Sequence, residues 1–320
     1  MGLPPPPAAP VVGAPALQAS SVRRAFGSMV AVADASLSLA PGSVTALVGP
    51  NGSGKTTLLL MLAGLLAPDA GEVRVHGMTY GQHGPDARRH VGWMPDTFGT
   101  WDSLTCLEVL TTFGAAYRVP PEVARERALG LLETVHLAEY TGAPARVLSR
   151  GQKQRLGLAR ALIHAPGVLL LDEPASGLDP RSRVDLRRLV RSLADAGVAV
   201  LVSSHVLVEL EEMVDDAVFL NRGQTVAGAP APAVARWRIT TLDAAALLAW
   251  AATVRLPLTP DPDEPPGSPG AGTFLVHLPD ETHAAALLRD TVTAGIPVSR
   301  MAPAGGRLEQ TYLAMETERR

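Results

Sequence analysis

The stretch that decides the fold runs from residue 49 to residue 57 and reads Gly49-Pro-Asn-Gly-Ser-Gly-Lys-Thr-Thr57. It has the spacing G-x-x-x-x-G-K-[ST] and lies between a strand-like run, Val44–Val48, and a helix-like run, Thr57–Leu66. Its glycines let successive backbone N–H groups turn inward as an anion nest, and the start of the helix adds partial positive charge. The stretch therefore predicts a phosphate-binding loop, because a chance glycine-rich turn would lack the flanking strand and helix.

The side chains of this loop suit a nucleotide triphosphate. An ammonium at Lys55 can reach the β and γ phosphates, and the hydroxyl of Thr56 can coordinate Mg²⁺. The cofactors expected from these residues are ATP and Mg²⁺. The candidate nucleotide-binding residues of the loop are Gly49, Pro50, Asn51, Gly52, Ser53, Gly54, Lys55, Thr56 and Thr57.

A second motif is the apolar run that ends in two acids, Val168-Leu-Leu-Leu-Asp-Glu-Pro174. A buried strand that ends in Asp172 would deliver a carboxylate to the metal, and Glu173 would then polarise the attacking water as a general base. Taken alone, the two acids fit an ordinary strand-to-loop transition. In combination with the phosphate-binding loop they indicate a catalytic site.

A third motif, Leu148-Ser-Arg-Gly-Gln-Lys-Gln154, leads into a helical run. Ser149 and Gly151 at a helix start would offer a hydroxyl, free N–H groups and the helix dipole. Taken alone, this motif fits a plain helix N-cap better than a functional segment.

Composition limits the classes of protein that need to be considered. The chain has 320 residues, of which 47% are apolar and 18% charged, so it can bury a core and is not wholly disordered. A net charge of −3 offers no broad basic field for nucleic acid. The single cysteine, Cys106, cannot form an internal disulfide and fits a reducing compartment. The apolar run Leu58–Ala67 is too short for the roughly 20 residues that a bilayer-spanning helix needs.

Changes in composition divide the chain into three parts. The sequence predicts a disordered Pro/Ala-rich tail that is not a signal peptide, one continuous α/β domain with a mainly parallel sheet, and a small C-terminal α/β module. The predicted bounds are 1–16, 17–229 and 230–320, with a helical insertion at about 97–150 and a Pro/Gly/Asp-rich linker at 256–272. In the module we expect helices at Thr240–Val254, Glu281–Ala294 and Leu308–Thr317 and strands at Thr273–Leu278 and Pro297–Met301.

The order of these motifs resembles the ATP-binding cassette of ABC transporters, which is a P-loop NTPase fold. In that resemblance Gly49–Thr57 is the Walker A loop, Leu148–Gln152 the signature and Val168–Asp172 the Walker B strand. Ser176–Asp179 matches the D-loop and His205 the switch histidine. The resemblance covers about Leu17 to Ala229, and the signature with the Walker B strand is its most specific part.

The resemblance implies a role for each matching residue. Glu173 would be the general base, His205 would contact the γ-phosphate and Phe26 would stack on adenine, although a lone Phe is more often a core residue. Ser149, Gly151 and Gln152, together with Asp179 in the D-loop, would contact ATP across a head-to-tail dimer of two cassettes. At the position where the family usually has a Gln that touches the metal and the water, this chain has Asp96, so a metal-binding role for Asp96 is a hypothesis.

The resemblance also implies a membrane partner. Trp93, Phe98 and Trp101 fall in a segment that, in the family, lines the groove for a coupling helix of the permease. Exposed aromatic side chains would suit such an interface, but they could equally pack the helical insertion against the core.

We therefore expect an ATPase subunit that energises an exporter from the cytoplasmic face of the membrane, with its permease on a separate chain. One alternative is a soluble cassette that acts on ribosomes or DNA, which the acidic balance disfavours. The other is an importer cassette, although sugar importers tend to carry a larger, β-rich C-terminal domain.

Overall fold

The computed structural model describes residues 14–99, 103–204, 213–226, 235–261 and 270–304. These residues form two compact units, one within residues 1–228 and the other within residues 229–320. Each unit has its own sheet. Of the sequence predictions, those for His205, for Trp101 and for a helix at 308–317 lie outside the described residues, as do most of the predicted tail and part of the predicted linker.

The described strands of the first unit form one sheet in the order β5-β4-β1-β2-β10-β9-β3-β8-β7-β6. Their bounds are β1 (Leu17–Phe26), β2 (Met29–Leu39), β3 (Val44–Val48), β4 (Ala70–Val75), β5 (Met78–Thr79), β6 (Val91–Met94), β7 (Val168–Asp172), β8 (Ala199–Ser204), β9 (Asp216–Asn221) and β10 (Gln224–Val226).

One half of this sheet is parallel and buried on both faces. The run β9-β3-β8-β7-β6 pairs in parallel throughout, and every residue of β3, β7 and β8 is buried. Continuous apolar runs of this kind are typical of parallel strands with cover on both faces. The register brings Asp172 beside Ser203 and Val48 beside Ser204, so the carboxyl ends of three strands meet at one edge. Ligands of open α/β sheets bind at that edge.

The other half of the sheet is antiparallel. The sequence analysis expected a mainly parallel sheet and did not predict this half. β5, β4, β1 and β2 pair antiparallel, and β10 joins this half by a single parallel bridge between Gln224 and Asp34. Strands β1 and β2 carry exposed residues between buried ones. This alternation is the pattern of a sheet with one solvated face.

Six α-helices of the first unit are described. They are α1 (Lys55–Leu62), α2 (Tyr80–Arg88), α3 (Cys106–Ala116), α4 (Pro121–Thr134), α5 (Arg150–Leu162) and α6 (Pro180–Asp195). The predicted insertion contains α3, α4 and two short 3-10 turns. Helix α3 begins with a capping box in which the side chains and backbones of Thr105 and Glu108 bond reciprocally, so its start is fixed locally.

The aromatic residues before α3 pack inward. Phe98 is only 7% exposed, and the guanidinium of Arg160 lies 5.2 Å from the centre of its ring. Trp93 is partly buried against the main hydrophobic core. The hypothesis that exposed aromatics form a partner surface is therefore wrong for Phe98 and unsupported for Trp93, because both side chains contribute to packing.

The second unit has the order β-α-β-β-α-β. Its elements are β11 (Ala235–Thr241), α7 (Ala244–Thr253), β12 (Thr259–Pro260), β13 (Gly272–Leu278), α8 (Glu281–Thr293) and β14 (Val298–Pro303). The sheet order is β12-β13-β11-β14 with every pair antiparallel, which is the ferredoxin-like arrangement. The sequence did not predict β11 or β12, and the helix expected from Thr240 begins at Ala244.

Three partly buried histidine rings lie near the amino end of β6. The rings of His76 and His90 meet edge to face at 5.2 Å, and Nε2 of His164 lies 3.1 Å from the Val91 carbonyl oxygen. Burial lowers the pKa of His76 and of His90, and mainly burial lowers the pKa of His164 to about 4. The folded chain therefore keeps His164 neutral at pH values where an unfolded histidine is protonated.

We predict that acid destabilises the folded chain through His164. Between pH 6.5 and pH 4 the unfolded state binds more protons at this residue than the folded state, so the free energy of unfolding falls as pH falls through that window. From pH 7 to pH 5 the loss from this residue is about 2 kcal/mol. Urea unfolding of the parent and of His164→Phe at both pH values measures it. An equal pH dependence in the two proteins would contradict the assignment.

Candidate functional site

The loop after β3 needs glycine because other parts of the chain approach it closely. A Cβ at Gly49 would lie 2.3 Å from the Leu220 carbonyl oxygen, and a Cβ at Gly54 would lie 2.3 Å from that of Ala31. Gly54 also has a φ of +103°, which L-residues rarely adopt. The backbone thus passes between β2 and β9 before it enters α1, and this fixes the direction of the first N–H groups of the helix.

Lys55 is held beneath the loop. The side chain is 8% exposed, and its Nζ donates to the carbonyl oxygens of Gly49 at 2.7 Å and Pro50 at 3.2 Å. Burial lowers the pKa of the Lys55 ammonium, while the negative charges of Glu173 and Asp172 oppose that shift. The result is a compact cation directed at the inner side of the loop, where phosphate oxygens would supply better acceptors.

Asp172 ends β7 as a buried carboxylate, 2% exposed, with a hydroxyl partner on each oxygen. Oδ2 accepts from Thr56 Oγ1 at 2.8 Å, and Oδ1 accepts from Ser203 Oγ at 2.6 Å. Mg²⁺ binds oxygen at about 2.0–2.1 Å, so neighbouring ligands of its octahedron lie about 2.9 Å apart. The Thr56 and Asp172 oxygens have this spacing, so the residues present fit the ion.

Glu173 follows in a strained backbone conformation, with a φ of +50°. Its N–H donates to Ser203 Oγ at 3.1 Å, and its carbonyl oxygen accepts from Gln154 Nε2 at 3.1 Å. A non-glycine residue with positive φ persists only where its surroundings fix it, and such residues cluster at functional sites. Ser203 therefore contacts both acids, and Gln154 links Glu173 to α5.

The signature segment forms the start of α5. Ser149 caps the helix: its Oγ accepts from the Gln152 N–H at 3.3 Å, and its own N–H donates to Gln152 Oε1 at 2.8 Å. Arg150 Nη2 donates to Ser176 Oγ at 2.9 Å, so this segment is tied to the loop after β7. Ser149 is thus a helix N-cap, as the plain interpretation of the motif predicted. Its role in nucleotide binding stays a prediction.

The remaining candidates lie apart from this network. Phe26 is 44% exposed at the end of β1, with the Arg24 guanidinium 5.0 Å from its ring centre, so it is not a core residue. Asp96 is exposed just after β6. Asp179 caps α6 by accepting from Ser182, whose hydrogen bonds lower the pKa of this carboxyl.

The sequence analysis missed three residues of the network, namely Ser203, Gln154 and Arg150. Ser203 contacts Asp172 from 31 residues away, and Gln154 contacts Glu173 from 19 residues away. A serine at the carboxyl end of a buried parallel strand was the available signal for Ser203, because that strand end faces the same edge as the other site residues.

Comparison with known proteins agrees with this geometry. A family model described as ABC transporter matches residues 32–176. The chain is 37% identical over 222 residues to the Nod factor export ATP-binding protein I of Ralstonia nicotianae, covering 69% of each chain. The chain belongs to the ABC transporter family. The recognition of the cassette, its fold class and its ATPase activity are confirmed.

Other relatives place the cassette among ATP-binding subunits. It is 34% identical over 211 residues to the linearmycin resistance ATP-binding protein LnrL of Bacillus subtilis, covering 66% of this chain and 68% of that one. A solved ATP-binding subunit of an ABC transporter matches with a TM-score of 0.62 and 26% identity, over 66% of this chain and 88% of that chain. The dimeric cassette MJ0796 bound to ADP and Pi matches with a TM-score of 0.60 and 26% identity, over 65% and 96%.

We predict that Ser203→Ala slows ATP turnover by about 10- to 100-fold, which is the usual effect of removing a residue that orients a metal ligand, the role expected of Asp172. The change leaves Asp172 Oδ1 and the Glu173 N–H without the hydroxyl that fixes them. Steady-state turnover, measured against the Mg²⁺ concentration, tests this. Ser192→Ala, which removes a serine hydroxyl bonded within α6, is the control. A turnover equal to that of the control would show that Ser203 does not position the acids.

Proposed function

We propose that this cassette energises an exporter whose membrane-spanning part is a separate polypeptide, and that it works at the cytoplasmic face of the membrane. Relatives named for Nod factor export and linearmycin resistance support the direction of transport. Among the described residues, no helix has both the length and the apolar character to cross a bilayer. The two names given above favour export over the alternatives, which are an importer role and a role on ribosomes or DNA.

The main support for the proposed chemistry is the buried Asp172 carboxylate, which accepts hydrogen bonds from the hydroxyls of Thr56 and Ser203. We infer that Thr56 and Asp172 hold Mg²⁺, which when bound neutralises charge on the β and γ phosphates. The loop N–H groups from Gly49 to Thr57 and the Lys55 ammonium bind the phosphate oxygens. Asp96 is proposed as a further metal contact, in the place of the family's usual Gln.

Glu173 is the proposed general base. Its backbone is fixed by Ser203 and Gln154 while its side chain follows directly after the metal-binding Asp172, so the carboxylate can accept a proton from a water that attacks the γ-phosphorus. His205 is proposed to contact the γ-phosphate, and Phe26 is proposed to stack on adenine, which its exposure permits.

Two cassettes are proposed to close head to tail on two ATP molecules. Ser149, Gly151 and Gln152 at the start of α5, with Asp179, would contact the nucleotide held by the partner cassette. A dimeric cassette with ADP and Pi among the structural neighbours supports dimerisation. Closure would drive the permease between two states.

We predict that Lys55→Ala lowers ATP turnover by at least about 100-fold, because the developing charge on the transferred phosphate loses its loop cation. Turnover of purified protein and a separate nucleotide-binding titration test this. Thermal unfolding of both proteins serves as the fold control. Turnover within about twofold of the parent would contradict the assignment of the site.

We predict that Glu173→Gln binds ATP, fails to hydrolyse it and accumulates as a dimer. The isosteric amide keeps the shape of the site but cannot accept the proton of the water. Gel filtration with ATP, and identification of the proteins that co-purify from solubilised membranes, measure both parts. Glu126→Gln, an equivalent change at an exposed position of α4, is the matched control. A monomer in ATP would contradict the dimer, and recovery without a membrane protein would contradict the transport role.

A further inference from the structure

A cleft with a volume of about 450 Å³ opens at the amino end of β6. It is lined by the residues just before that strand, by the turn between α3 and α4, by α4 itself and by the residues that follow α5. The phosphate-binding loop and the two acids lie at the carboxyl ends of the parallel strands, which is the opposite edge of the sheet. This cleft is therefore separate from the proposed ATP site.

Three arginines on three different elements line the cleft. Arg89 follows α2, Arg118 lies in the turn after α3 and Arg127 is on α4. None of the residues that line the cleft carries a carboxylate. The lining residues are Arg89, His90, Tyr117, Arg118, Val119, Pro120, Val123, Arg127, His164 and Ala165.

The cations are poorly neutralised within the chain. Among the described residues, the ion-pair partner of Arg89 is Asp86 at 3.9 Å, a weak contact with both side chains more than half exposed. In the part of the chain that the structure describes, neither the Arg118 guanidinium nor the Arg127 guanidinium makes a hydrogen bond or an ion pair, and Arg127 is half-buried. A partly desolvated guanidinium without an anion is costly, and bound anions relieve that cost.

The wall of the cleft between the arginines is formed by two stacked, uncharged rings. The rings of Tyr117 and His164 stack at 3.7 Å with an angle of 4° between their planes. If Nε2 of His164 donates to the Val91 carbonyl, Nδ1 carries a lone pair, and this atom is buried without a partner among the described residues. The positive field of the cleft thus comes from guanidinium groups, which do not lose their charge at any physiological pH.

We propose that this cleft binds a multiply charged phosphate-bearing anion of about the size of diphosphate. Three forked guanidinium groups match phosphate oxygens bidentately and need at least two negative charges for neutralisation. The volume exceeds the need of a single phosphate group and suits a small polyanion. An anion there would contact the helical insertion through Arg118 and Arg127 and the core of the cassette through Arg89.

Inorganic pyrophosphate is the probe, titrated calorimetrically into the full-length chain carrying Lys55→Ala, so that the phosphate-binding loop does not compete. We expect saturable binding that Arg127→Gln weakens by about tenfold or more, since a hydrogen bond to a charged group has that value. Arg125→Gln, which removes an exposed arginine of the same helix outside the cleft, should bind like its parent. Absence of saturable binding, or equal weakening by both changes, overturns the proposal.

A second variant tests the proposal independently, in case Arg127→Gln disturbs the folding of the chain. Arg118 has a φ of +59°, and Asn tolerates that conformation, so Arg118→Asn removes the charge with little strain. It should weaken pyrophosphate binding as Arg127→Gln does. With Lys55 intact, it should leave ATP turnover without pyrophosphate within about twofold, which separates this proposal from the proposed transport ATPase. Unchanged pyrophosphate binding in Arg118→Asn overturns the anion site.

Discussion

The structure of the cassette depends on one buried carboxylate, that of Asp172. Each of its oxygens has a single hydroxyl partner, Thr56 at the start of α1 and Ser203 at the end of β8. A buried charge is tolerated only when it is hydrogen-bonded. These two contacts therefore fix the position of α1 relative to β7 and β8. The same requirement makes the site ready for a cation, because the carboxylate already has both oxygens oriented.

The strained backbone at Glu173 is a consequence of this arrangement. β7 must end with Asp172 facing Thr56, and the next residue has to turn at once, with a φ of +50°. Ser203 and Gln154 bond the backbone on either side of the turn. The conformational cost at Glu173 is therefore met by contacts from β8 and α5, and the residue that would act on water is positioned by elements distant in sequence.

The parts of the fold that could be predicted are those whose signal is local. The loop at Gly49–Thr57 carries its glycines, lysine and flanking apolar runs within a short stretch, and β7 is a continuous apolar run that ends in acids. Strand β11 was missed because its apolar residues, Trp237 and Ile239, come just before the apolar helix α7 in the sequence. The two-residue period of the strand could therefore not be separated from the helical pattern that follows it. Ser203, Gln154 and Arg150 were missed because their partners lie at least 19 residues away, where no local pattern reports a contact.

The close approach at Gly54 has a mechanical consequence. Its Cα faces the Ala31 carbonyl so closely that no side chain fits, and the neighbouring Ser53 carbonyl oxygen accepts from the Gly223 N–H at 3.0 Å, while Gly223 in turn accepts from the N–H of Ala33. Ala31 belongs to β2, the strand that pairs with β1 and its terminal Phe26. Backbone contacts thus tie the loop to the β1–β2 hairpin, and they set the distance from the end of β1 to the first turn of α1. For the proposed nucleotide, with its base on Phe26 and its phosphates on the loop, that distance would favour one separation between base and phosphates.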